Sequence, residues 1–429
     1  MNEVTTKELF DRLEDQNLMI IDVRPVDAYN GWKHNNEARG GHIKGAKSLP
    51  VKWVNYIDWI EIVKSKEITT GNVLILYGDS KAETEKVAQQ FIKAGYPNVH
   101  VYHQFVNEWA AQRNLPMDHL AKYQHLVSAR WLNDLIGKGT APEYNNDKYI
   151  LCHAYYRNRK AYEEGHIPGA VALDTNSLES PETWNRRSPD EIKKALEDLG
   201  ITQNTTVIVY GRFSSPDYSD PFPGSSAGHL GAIRCAYIML YAGVKDVRVL
   251  NGGLQAWLDE KLETTTKETP KHPVNDFGTK IPSCPELEVD IQEAKEFLKS
   301  ENKNLVSVRS WKEIIGEVSG YHYIEKKGRI PGAVFGNCGS DAYHMENYRN
   351  LDHTTREYHE IETMWAKVDI TPDKHNAFYC GTGWRASEAF FNAWLMGWKR
   401  ISVFDGGWFE WSNDDKNPYE TGIPTDGAS

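Results

Sequence analysis

The sequence predicts an α/β protein of three tandem domains, each a mainly parallel sheet flanked by helices on both faces. Three observations predict it. A six-residue turn recurs as Gly41-His-Ile-Lys-Gly-Ala46, Gly165-His-Ile-Pro-Gly-Ala170 and Gly328-Arg-Ile-Pro-Gly-Ala333. Around each copy the same order of apolar runs and helical patterns returns, the mark of a repeated supersecondary unit. The strand-like runs alternate with helical ones, which implies βαβ crossovers and parallel strands covered on both sides.

Each repeat opens on an apolar run ahead of its turn, at 19–24, 149–152 and 304–309. A second buried run follows, at 73–77, 207–210 and 378–379, then a helix, then a last strand at 99–102, 247–250 and 401–404. In the third helix, 386–396, the apolar positions 386, 389, 390, 393 and 394 have the spacing of one face. Shifted back by 302 residues they become Thr84, Val87, Ala88, Phe91 and Ile92; shifted back by 154, Ala232, Cys235, Ala236, Met239 and Leu240. The same face is therefore expected to be buried three times. Polar or proline-bearing stretches near 113–118 and over 264–285 separate the repeats, giving domains at 1–118, 119–268 and 269–429.

A net charge of −11 over 429 residues, with a pI near 5.8, argues against nucleic acid or an anionic membrane as a general partner. No apolar run is long enough to span a bilayer, and the N-terminus starts polar, so the chain as given reads as cytoplasmic, or periplasmic if a leader has been removed. The five cysteines are an odd number without Cys-x-x-Cys or Cys/His ligand spacing, so free thiols, no structural metal and no cofactor are expected.

The chemistry is expected in Tyr379-Cys-Gly-Thr-Gly-Trp-Arg385, where a buried strand passes into the third helix. Two glycines let successive amides turn inward, the helix contributes its positive end, and Arg385 adds charge. Such a setting favours the thiolate, so Cys380 is the nucleophile candidate. The first repeat has Gly78 at the cysteine position and Glu83 at the arginine position; the second has Gly211 and an insertion from Arg212 to Gly231. Both are expected to be inactive, and Cys235, on a buried helix face, to be structural. Cys338 is read as passive rather than as a resolving thiol. His42 and His166 belong to the recurrent turn, which is expected to be structural.

The Cys-Gly-Thr-Gly-Trp-Arg loop, followed by Asp405-Gly-Gly-Trp-Phe-Glu-Trp411, resembles that of rhodanese-type sulfurtransferases, above all the bacterial three-domain thiosulfate sulfurtransferases. The resemblance implies that Cys380 attacks the outer sulfur of a small anionic donor such as thiosulfate and holds it as a persulfide. Cyanide, a thiol or a protein acceptor then removes it. Gly381, Thr382, Gly383, Trp384 and Arg385 are the expected substrate-binding loop, with Arg309 and Arg329 as further positive charge. The alternatives are 3-mercaptopyruvate as donor, a cysteine-dependent phosphatase, whose loops resemble Cys-x5-Arg rather than the Cys-x4-Arg found here, and a non-catalytic binding scaffold.

Overall fold

The computed structural model describes residues 2–213, 224 and 227–424 and divides into two compact units, Met1–Gln124 and His125–Ser429. In the first unit five parallel strands lie in the order Asn2–Glu3, Val99–Tyr102, Val73–Tyr77, Leu18–Asp22, Lys47–Ser48. A short antiparallel pair joins His42–Ile43 to Met117–Asp118. The second unit repeats the five-stranded order twice. Its sheets run Leu126–Val127, Asp246–Leu250, Thr206–Tyr210, Tyr149–Tyr155, Val171–Asp174, and Glu288–Val289, Ile401–Phe404, His375–Tyr379, Lys303–Ser307, Val334–Phe335. All their strand pairs are parallel, and the central strand of the middle repeat is buried along its whole length.

The predicted helix face holds at four of its five positions in every repeat. The fifth varies: Ile92 is exposed, Leu240 buried and Trp394 half-buried. That position lies at the flank of the stripe, so what covers it depends on the neighbour. In the middle repeat every residue of the helix Gly228–Ala242 is buried. One side rests on its own sheet and the other on the helix Trp384–Leu395, where the Tyr237 and Phe390 rings meet at 5.1 Å. A helix covered all round has no polar face to keep.

The stretch 264–285 that separates the second and third repeats packs as a strap on the middle repeat. His166 and Thr265 pair, the Val274 amide donates to Glu197, the Gln203 amide donates to Phe277, and Phe277 and Ile281 are buried. The recurrent turn is structural by its contacts. In the first two copies the isoleucine amide donates to a buried tyrosine hydroxyl, Ile43 to Tyr77 at 3.0 Å and Ile167 to Tyr210 at 2.8 Å. The histidine before each isoleucine stacks on Tyr29 or Tyr162. Among the described residues no helix is long and apolar enough to cross a membrane.

Candidate active site

The strand His375–Tyr379 runs directly into Cys380, and the helix Trp384–Leu395 begins four residues after that cysteine. The cysteine thus sits at the carboxyl end of a parallel sheet, where open α/β folds place ligands. Its side chain is buried, and the Gly383 amide, released by a positive φ of 97°, donates to Sγ at 3.2 Å. The Gly-Gly turn supports the loop from behind. The Trp408 amide donates to the Cys380 carbonyl at 2.8 Å and the Phe409 amide to that of Gly381 at 3.0 Å. A Cβ on Gly407 would lie 2.7 Å from the Cys380 oxygen, so the second motif exists to let two backbones touch.

Arg385, expected to add positive charge to the loop, is itself held by a carboxylate. Fully buried, it forms a two-pronged ion pair with Glu313, Nη1 at 2.8 Å and Nη2 at 2.9 Å. The same carboxylate accepts from Arg309 Nε at 3.2 Å and from the Ser310 amide at 2.9 Å. Burial alone would raise the Glu313 pKa, but Arg385 and Arg309 outweigh it and hold the group at about 2. Arg309 spends its other donors on the carbonyls of Gly328 and Ser319. Arg329 takes the place of the turn histidine and bonds Ile314 O, Gly422 O and Glu420. Neither is an unpaired cation facing the loop.

What Arg385 does hold is Tyr321, whose hydroxyl accepts from Nη2 at 3.0 Å and keeps its own proton to donate. The ring lies against the loop: a Cβ on Gly381 would fall 2.0 Å from Tyr321 Cε2. Burial pushes the Tyr321 pKa up, so the phenol stays protonated. Nε of Arg385 is buried and has no hydrogen-bond partner among the described residues. Cys338 accepts from Arg385 Nη1 at 3.4 Å, and burial pushes its thiol up to about 11, a poor setting for a resolving thiolate.

Trp384 reaches into the middle repeat, its indole N–H donating at 2.9 Å to both oxygens of buried Glu179. Arg234 joins Glu179 at 3.2 Å to Asp405 at 2.6 Å, and the Arg186 amide donates to Asp405 at 2.7 Å. Arg349 pairs with Glu388 on the helix Trp384–Leu395 at 2.6 Å. The buried cations around the loop are thus matched by carboxylates.

A cavity of about 250 Å³ opens over the loop. Thr382, Trp384, Tyr321 and Tyr323 line it from the third repeat, and Tyr156, Arg157 and Trp184 from the middle one. Sequence reasoning missed this wall. The signals available were the aromatic triplet Tyr321-His-Tyr323 beside an otherwise repeated turn, and the Ser310-x-x-Glu313 capping pattern directly after a strand.

Among the described residues the other two repeats do not reproduce this apparatus. In the first, the helix Lys81–Lys93 begins one residue earlier in register, capped by Ser80, and Asp79 bonds His34 at 2.9 Å. In the second, Gly211 donates to His229, Arg212 is bound to the carbonyls of Ala161 and Gly165, and Cys235 is buried with its thiol pushed up. Most of the insertion expected after Arg212 lies outside the described residues.

The rhodanese-like domain model matches residues 5–112, 143–260 and 290–414. The chain belongs to the rhodanese family. Thiosulfate sulfurtransferase YnjE of Escherichia coli is 40% identical to this rhodanese over 417 residues, 96% of this chain and 91% of its own. Sulfur carrier protein TtuD of Thermus thermophilus is 29% identical over 292 residues, 67% of this chain and 93% of its own. Among solved structures, wild-type EanB matches with a TM-score of 0.97 and 61% identity, covering 99% of this chain and 98% of its own. Further EanB structures hold hercynine, or ergothioneine, and one carries a cysteine persulfide in a tetrahedral intermediate state with ergothioneine. The three rhodanese domains and the sulfurtransferase class expected from the sequence stand; donor and acceptor are finer questions.

Proposed function

We propose that this rhodanese carries sulfane sulfur on Cys380 as a persulfide and exchanges it with the imidazole C2 of a hercynine-type betaine. The observation that carries this reading is the aromatic cavity over the Cys380 loop, with Tyr321 held above it by Arg385. The likeness to EanB supports it further. The tyrosine altered in EanB precedes its persulfide cysteine by 59 residues and the altered threonine follows it by two, as Tyr321 and Thr382 stand to Cys380.

The transfer balances without an external oxidant. C2 attacks the outer sulfur, the C–S bond forms as the S–S bond breaks, and Cys380 leaves as a thiolate. The Tyr321 hydroxyl is the nearby donor to that thiolate, and the proton lost from C2 restores the phenol, so Cys380 ends as a thiol. The Gly383 amide and the helix end stabilise negative charge on Sγ.

Thiosulfate, the donor expected from the sequence, is retained for loading Cys380. The name of the 40% identical relative favours it, and a cyanide or thiol acceptor is the second reading of the same site. The test is to load the protein with thiosulfate, desalt it, and offer hercynine or cyanide separately. Ergothioneine by mass spectrometry, with loss of the persulfide, supports the first reading; thiocyanate alone supports the second.

A further inference from the structure

Under the 154-residue shift that aligns the middle repeat with the third, Asp405 falls on Asn251, Glu388 on Arg234, and Gly383-Trp-Arg385 on His229-Leu-Gly231. The two repeats brace each other's Gly-Gly turns, once in each direction. On one side the Thr355 amide of the third repeat donates to Asn251 Oδ1 at 2.7 Å, and Arg349 pairs with Glu388 within that repeat. On the other the Arg186 amide of the middle repeat donates to Asp405 Oδ2, also at 2.7 Å. Here Arg234 also crosses between the repeats, with Nε 3.2 Å from Glu179 and Nη1 2.6 Å from Asp405, while Glu179 accepts the Trp384 indole N–H. One guanidinium and two carboxylates are thus buried at a turn whose counterpart carries a neutral asparagine.

Joining two repeats does not call for that charge, because desolvation offsets most of what a buried ion pair gains. What lies against it is the sulfur-bearing loop. A Cβ on Gly383 would lie 3.0 Å from Arg234 Nη1 and 3.1 Å from Asp405 Oδ1, so the residue whose amide donates to Cys380 Sγ is packed directly on the bridge. The helix Gly228–Ala242 is hollowed at Gly231, where a Cβ would stand 3.3 Å from the Trp384 ring. We infer that Arg234 and Glu179 of the middle repeat, with Asp405, are positioning residues for sulfur transfer: the bridge holds the Gly383 amide on Cys380 Sγ, and Glu179 holds Trp384 beside it. The unarmed repeat thereby fixes the loop of the armed one. This rests on the reading of Cys380 as the sulfur carrier, whichever acceptor follows.

The test is Asp405→Asn in the full chain, which gives the Cys380 side the residue its counterpart already has and leaves Arg234 paired with Glu179. Wild type and variant are compared in sulfur transfer from thiosulfate to cyanide and by hydrogen–deuterium exchange read by mass spectrometry. The variant should lose at least about tenfold in kcat with KM for thiosulfate kept within about twofold. Exchange should quicken in peptides covering residues 380–385 and stay unchanged over 228–242. A second pair of variants gives the same comparison with Asp405 in place: Glu179→Leu should lose activity, and Glu179→Gln, which still accepts from the indole, should recover most of it. An unchanged kcat overturns the inference. So does exchange that quickens over 228–242 as much as over the loop, since the bridge would then merely join the repeats. Intact mass after thiosulfate keeps this apart from the proposed function. A wild type that gains no sulfur on Cys380 sinks that function, and the exchange comparison alone then decides whether the bridge fixes the loop. A wild type that gains sulfur, with variants that turn over equally fast, sinks only the positioning role.

Discussion

Replacing Glu313 by glutamine strips the charge from the one carboxylate that two buried arginines share. Arg385 and Arg309 contact it at 2.8 to 3.2 Å. The carboxyl is depressed from 4.5 to about 2, and a shift of that size corresponds to about 3 kcal/mol of stability at neutral pH. Breaking a buried pair by removing one partner costs about 3–5 kcal/mol in other proteins, which agrees. Because the folded pKa lies below the unfolded one, this contribution is fully present above about pH 4.5 and is lost as pH falls toward 2. Urea unfolding of the wild type and Glu313→Gln, followed by a signal from the second unit, should differ by about 3 kcal/mol at neutral pH. The gap should narrow steadily below about pH 4.5. Activity should fall as well, since Arg385 would no longer be fixed under Tyr321. A neutral-pH difference under about 1 kcal/mol, or a gap that does not change with acid, would refute the claim that Glu313 neutralises this pair.

Cys380→Ser should abolish persulfide formation and Cys338→Ser should preserve it, both read by intact mass after thiosulfate. Gly381→Ala puts a methyl 2.0 Å from the Tyr321 ring, so sulfur transfer should drop at least about tenfold with the melting temperature nearly kept; unchanged rates would remove Tyr321 from the site. Burial raises Glu179 to about 7 against the opposing pull of Arg234 and Trp384. Its contribution is therefore present below about pH 4.5 and lost as pH rises through about 7. Relative to Glu179→Gln the wild type should lose up to about 3 kcal/mol across that range, measured by denaturant unfolding at its two ends, and a flat difference would show that the carboxylate stays ionised.

The parts of the site that were legible in the sequence are local. The Cys380 loop, its glycines and the Gly406-Gly407 turn lie in short segments whose spacing carries their geometry, and repetition set the order of strands. Pairings across the chain were not legible. Glu313 lies 72 residues from Arg385, and Glu179 lies 205 residues from Trp384 in another repeat. A lone arginine in a loop reads as a free cation, and only the fold reveals that a carboxylate already holds it. The packing of 264–285 was not legible for a related reason: its few apolar residues, Phe277 and Ile281, dock on a surface that composition does not show. The packing of the middle and third repeats into one unit depends on a helix buried all round, and its apolar pattern alone gives no partner.

The most direct measurement of the central claim is a single turnover. Protein carrying isotopically heavy sulfur as the Cys380 persulfide, freed of donor, is mixed with hercynine, and protein and small molecules are weighed by mass spectrometry over time. Loss of one sulfur atom from the protein should match, at the same rate, the appearance of ergothioneine bearing the heavy isotope. A persulfide that persists beside hercynine but discharges at once to cyanide would contradict transfer to the ring.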